Sequence, residues 1–292
     1  MGGATAGFVR RHPLGCYFAL AWGLSWATWT PLVTDALGLT RSGLPAAYHY
    51  AGSAGPLLAA VIVTALADGT AGLRELMMRF APGRVGAAWL VAGWLGPVAL
   101  FFAAAALLRA TGAPWPDFRQ LARADEFPRM GPVELWAFWT LTFGFGEETG
   151  WRGFALPRLQ AKHGALKATL LLTAGWVIWH APAFFYRPGY TALGLGGTVG
   201  FAFSLLVGAI VLTWLFNSAG GSLVPVILFH GSIEVVYLSR ATRADIAAVL
   251  SVLFTVWAVL VVWLGGPTNL SRRGRVVPGS DRRLPGPRAH AA

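Results

Sequence analysis

Apolar runs of roughly 20 residues, the length a helix needs to cross a bilayer, recur along this chain. Charged residues make up 12 % of it, against roughly 25 % in a soluble domain. The pattern predicts an all-α fold, a polytopic membrane helical bundle of about eight transmembrane helices. The expected spans cover 14–33, 46–67, 87–108, 132–156, 165–185, 194–216, 222–239 and 244–264. One membrane domain over 1–264 is expected, followed by a basic tail, 265–292, whose Gly, Pro and Arg content predicts disorder. Leu73–Phe80 alternates basic and apolar residues at helical spacing and suits a short interfacial helix. Gly196, Gly200, Ser204 and Gly208 fall on one face of span six, where small residues let another helix approach closely.

The net charge of +11 raises nucleic acid as a partner, but the placement of the charges argues against it. Basic residues lie between the apolar runs and in the tail, as in loops facing anionic lipid. With the N-terminus inside, the inner segments hold fifteen Lys and Arg: two at the start, three after span two, four from Arg152 to Lys167 and six in the tail. The outer loops hold the other eight, so both termini are expected in the cytoplasm. The Arg-rich, Lys-poor composition suits a GC-rich genome, and a bacterial plasma membrane is the expected location. The first apolar run, from Leu14, lacks a small-residue cleavage site and reads as a span rather than a signal peptide. Cys16, the single cysteine, excludes an internal disulfide and a cysteine-cluster metal site.

Against this background the ionisable groups inside the spans stand out, because they are costly in lipid and are usually paired or functional. Glu147 and Glu148 are adjacent, with Arg152 following. Glu148 and Arg152 are four apart, acid first, the favourable order for an ion pair on one helical face. Glu147 is rotated by about 100° and points elsewhere. A Glu–Arg knot that fixes helix packing is the bland alternative. His180 and His230 could likewise be plain interhelical hydrogen-bond donors. His230 and Glu234, however, are four apart, a spacing that suits two metal ligands or a base and its partner. Spans four and five form a hairpin turning near Lys162-His163-Gly164, and Glu147 and His180 lie almost equally far from that turn. Pro157 and the nearby glycines are expected to bend span four.

The segment 144–235 resembles the CPBP family of intramembrane proteases, the CAAX-protease and bacteriocin-processing enzymes. Glu147, Glu148 and Arg152 match its first motif, and Trp176 and His180 its second, with Trp where Phe is common. Trp214-Leu-Phe-Asn217, Gly221-Ser222 and His230 resemble the third and fourth. The resemblance implies peptide-bond hydrolysis of a peptide or membrane-protein substrate in the bilayer, without an acyl-enzyme. In that scheme Glu147 and His180 activate a water, His230 and Glu234 stabilise the oxyanion, and Glu148 and Arg152 support the site. An alternative reading of the family places a divalent metal, zinc, on Glu147, His180, His230 and Glu234. The chain departs from the family at Glu234, where Asn is usual. An ionised Glu only accepts hydrogen bonds, so it must be protonated, bind a metal or mark an altered site.

Two other function classes stay open on sequence alone. One is a proton- or cation-coupled transporter, although no inverted repeat is visible. The other is a catalytically silent immunity or scaffold protein with the same fold.

Overall fold

Helices α1 (Gly2–Arg11) and α2 (Pro13–Ala36) open the chain in a computed structural model that describes residues 2–81 and 85–279. Pro13 starts α2, where its missing N–H has no intrahelical partner to lose. A 3₁₀ segment, Ala46–Ser53, leads into α3 (Ala54–Met78). Gly69, at φ 65°, kinks α3, so that Leu73–Met78 forms a separate helical end, as the alternating pattern there suggested. Helix α4 (Ala87–Ala110) is followed by an ordered loop, pinned where Ser239 Oγ donates to the Gln120 carbonyl and the Arg240 N–H to that of Arg123.

The fourth expected span is helical but not uniformly wound. It runs through α5 (Pro132–Trp139), a π-helical segment Thr140–Glu147, α6 (Glu148–Gly150), a second π segment Trp151–Ala155, and α7 (Leu156–Gln160). Each π turn carries an extra residue, and such turns occur frequently at functional sites. The chain continues as α8 (Ala165–Trp179), α9 (Ala183–Tyr186), α10 (Pro188–Thr191), α11 (Leu195–Ser218), α12 (Val224–Tyr237) and α13 (Ala244–Asn269).

Among the described residues, five helical stretches are long and apolar enough to cross a membrane: Ala46–Met78, Ala87–Ala110, Ala165–Tyr186, Leu195–Ser218 and Ala244–Asn269. The other three expected spans correspond to α2, the broken helix 132–160 and the short α12. The protein is a multi-pass helical membrane bundle. Its outer faces on α4 and α13 present Val91, Phe102, Val256 and Trp263, side chains suited to lipid. Inside, α12 packs on α4 and on the broken helix, α2 packs on α3, and α11 packs on α8 and α13.

Two expectations are corrected here. The part of the tail expected to be disordered from Gly265 is ordered through residue 279. Gln160 and Asn217 exchange two side-chain hydrogen bonds and together hold the Val276 backbone, Gln160 Nε2 donating to its carbonyl at 2.8 Å and its N–H donating to Asn217 Oδ1 at 3.1 Å. Local composition does not reveal such distant partners. Residues 280–292, the remainder of that expected tail, lie outside the described residues. The small-residue stripe of span six is the second correction. Nothing lies within 4 Å of where a Cβ would stand on Gly196, Gly200 or Gly208, and Ser204 is exposed. No helix packs on that face among the described residues, and its inner half borders a cavity.

Candidate active site

Glycines in and beside the broken helix let neighbouring elements approach closely. A Cβ on Gly150 would collide with the Tyr17 hydroxyl and with Pro56, and one on Gly231 of α12 would collide with Thr140. The broken helix is therefore held between α2 and α3 on one side and α12 on the other. This packing leaves Glu148 and Arg152 with no solvent exposure.

Glu148 is the hub. Its Oε1 accepts Arg152 Nη1–H at 2.7 Å and is 2.7 Å from His230 Nδ1, which donates to it. The guanidinium of Arg152 also lies 4.7 Å from the Trp176 ring centroid, a cation–π contact. Glu148 Oε2 and Arg152 Nε and Nη2 are buried without hydrogen bonds among the described residues. A buried pair of this kind is strongly destabilising if one member is removed.

Glu147 faces the other way. Its Oε2 accepts hydrogen bonds from Trp176 Nε1 at 2.9 Å and Trp151 Nε1 at 3.3 Å. Its Oε1 makes no hydrogen bond among the described residues, and the side chain borders a cavity of about 670 Å³. His180 caps the end of α8 and borders the same cavity. Helix α8 stops at Trp179, so His180 sits at its C-terminal cap, at the turn into α9 within the stretch Ala165–Tyr186. His180 Nδ1 is 2.8 Å from the Trp176 carbonyl. A carbonyl only accepts, so Nδ1 carries the proton, and in the neutral ring Nε2 keeps a lone pair. Trp176 thus organises both candidates for water activation, Glu147 through its indole and His180 through its backbone.

His230 and Glu234 complete the polar wall. Their closest approach, Nε2 to Oε1, is 3.9 Å, a charge contact but too long for a hydrogen bond. The Glu234 side chain is 27 % exposed. The structure therefore brings Glu147, His180, His230 and Glu234 to one cavity and leaves Glu148 and Arg152 behind it.

The model of the type II CAAX prenyl endopeptidase Rce1-like family matches residues 130–236, the segment that carries all six of these side chains. The match supports the likeness to CPBP-type proteases over that segment, about a third of the chain. A CAAX prenyl protease 2 of Methanococcus maripaludis is 30 % identical over 122 residues, 40 % of this chain. That match covers 45 % of the relative, so the chain spans less than half the length of the curated protein it resembles. Several walls of the cavity, including Trp29, His49 and Phe254, lie outside the matched segment.

Glu147, His180, His230 and Glu234, the set expected to hold a metal, border one cavity. Among the described residues no three His, Cys, Asp or Glu side chains gather as a metal site. His230 Nδ1 is held by Glu148, His180 Nδ1 by the Trp176 carbonyl and one Glu147 oxygen by two indoles, which leaves the Nε2 atoms of both histidines, the second Glu147 oxygen and the Glu234 carboxylate without hydrogen bonds among the described residues.

Several features of the site escaped the sequence. Trp151 stands four residues from Glu147, a spacing that could have revealed it as a donor, whereas the indole bond from Trp176 to Glu147 spans 29 residues and had no local signal. Asn217, grouped with a CPBP motif, holds the C-terminal segment and does not border the cavity. A polar cluster at the cavity rim had no local signal. There Arg187 donates to both oxygens of Glu126, at 2.8 and 2.9 Å, and to the Tyr50 hydroxyl at 2.9 Å. Burial raises the Glu126 pKa, but the hydrogen bonds from Arg187 and Tyr50 and the charge of Arg187 outweigh it and hold the carboxyl below its usual range.

Proposed function

We propose that the protein is an intramembrane endopeptidase that hydrolyses a peptide bond of a peptide or membrane-protein substrate with an activated water. Glu147 takes the proton of the water as its oxygen attacks the carbonyl carbon, and His180 Nε2 holds that water in line. The C–N bond then breaks, and the proton passes to the leaving nitrogen, giving an acid and an amine. His230 reaches the oxyanion through Nε2, which requires the imidazolium, because its Nδ1–H is given to Glu148. Glu234 assists there only as the neutral acid. Glu148 and Arg152 touch no substrate and position His230. Donors prearranged around a developing charge, in a site shielded from water, lower such a barrier most.

One observation carries this reading. Glu147 has one oxygen fixed by two indole N–H groups and the other unbonded at a cavity that His180 shares. A positioned base needs that combination of orientation and a free lone pair. The protein acts in a bacterial plasma membrane with both termini cytoplasmic, as the basic loops favour. The test uses the full chain reconstituted in liposomes with a mixture of internally quenched peptides. Cleavage at defined bonds supports the reading. Proton or cation flux without cleavage would support a transporter instead.

A further inference from the structure

The cavity is mostly apolar and aromatic, of a size that suits one extended ligand segment. Glu147, ionised as the base of the proposed reaction, repels an anion. Arg187 is the one Arg or Lys among the cavity's described lining residues. Its side chain is 18 % exposed, so it is neither sealed nor freely solvated. Glu126 does not border the cavity and grips the guanidinium from behind. Tyr50 accepts from Nη2 and donates to Glu126 Oε2 at 2.7 Å, which closes the frame. Pro188 follows directly and begins α10, fixing the backbone beside Arg187. A guanidinium has five N–H donors, and Glu126 and Tyr50 use three. Nε–H and the second Nη1–H have no protein partner among the described residues.

We infer that Arg187 is a specificity-determining residue that binds a carboxylate of the substrate and so orients the apolar segment in the cavity. The inference rests on the endopeptidase reading for its biological meaning, but the binding itself does not require cleavage. A negatively charged end is drawn to Arg187 and kept from Glu147, which leaves an uncharged peptide bond for the polar wall. The carboxylate is a chain terminus or an acidic side chain, and the two are separable by experiment. A charge-assisted hydrogen bond in such a site amounts to about 10- to 100-fold in affinity.

The test measures binding to the full chain in detergent, with a dansylated apolar pentapeptide as probe. It is prepared as the free acid, as the C-terminal amide, and as an amide with Glu or Gln at its last position. The wild-type protein is expected to bind one carboxylate form about tenfold or more tighter than its uncharged counterpart. Preference for the free acid identifies a chain terminus, and preference for Glu over Gln identifies a side chain. Arg187→Gln should bring the ratio to about one, and Arg187→Lys should restore part of it. Should Arg187→Gln fail to fold, Glu126→Gln serves in its place: it leaves the guanidinium unshared and should increase the ratio. Equal binding of charged and uncharged forms, a preference that survives Arg187→Gln, or no binding of any form at millimolar concentration overturns the inference. Selective binding with no cleavage of any peptide would instead sink the endopeptidase reading and leave Arg187 as an anion receptor.

Discussion

His230 and Glu148, 82 residues apart, meet through Nδ1 and Oε1 at 2.7 Å, and this bond joins α12 to the broken helix behind the cavity. The same oxygen takes Arg152, so one carboxylate fixes both the helix packing and the ring that faces the cavity.

Removing Arg152 should therefore unfold more than it disables. Arg152→Ala leaves Glu148 buried with His230 as its remaining partner, and should cost about 3–5 kcal/mol of stability. Replacing both members, as Glu148→Leu with Arg152→Met, should cost less than the sum of the single changes, because no charge is stranded. Denaturation in mixed detergent micelles reads both. Additive losses would show that the two side chains do not act as a pair.

Trp176→Phe keeps a ring beside Arg152 but removes the N–H that holds Glu147. Loss of one hydrogen bond to a charged group corresponds to about 1.5–3 kcal/mol, or roughly 10- to 100-fold. Peptide cleavage should fall by that factor while the melting temperature changes little. Unchanged cleavage would mean that Trp151 alone orients the carboxylate.

The glutamate pair, its arginine and the two histidines were legible because ionisable groups in apolar runs are few and helical spacing is local. The Glu148–Arg152 bond survives the π winding because both residues lie within about one turn. The joining of Glu148 to His230 was not legible, since it depends on how α12 docks, which glycine contacts such as Gly231 against Thr140 determine. Pro157 and the glycines marked span four as irregular, but its π winding was not readable from them. Gly200, Ser204 and Gly208 misled for a related reason: spacing shows which face is smooth, not whether a helix lies on it. The ordered stretch through residue 279 depends on Gln160 and Asn217, residues far away in sequence.

Glu234 tests whether the departure from the usual Asn still allows activity. If it serves the oxyanion as a neutral acid, Glu234→Gln should keep activity and extend it to higher pH, because an amide donates at every pH. On the neutral-acid reading, chelation should not change the rate of either protein. Loss of both activity and bound zinc in Glu234→Gln would restore the metal reading.

The rim cluster predicts an acid-side effect. Glu126 is held below the usual carboxylate range in the folded protein by Arg187 and Tyr50, against the effect of burial. Its contribution is fully present above the unfolded carboxylate pKa, about 4.3, and is lost as pH falls through the lower folded value. Melting temperatures of the wild type and Glu126→Gln should therefore differ at neutral pH and converge in acid. A gap that stays constant with pH would show that the Glu126 charge contributes nothing there.

The most direct measurement compares Glu147→Gln with the wild type, both reconstituted in liposomes, for cleavage of a quenched peptide and for thermal unfolding. The substituted amide fills the same space and its oxygen accepts the same indole hydrogen bonds, but it cannot take a proton from water. The account predicts at least about a hundredfold loss of cleavage, the range a general base supplies, with the melting temperature nearly unchanged. Cleavage near the wild-type rate, or a collapse of stability that explains the loss, would contradict it.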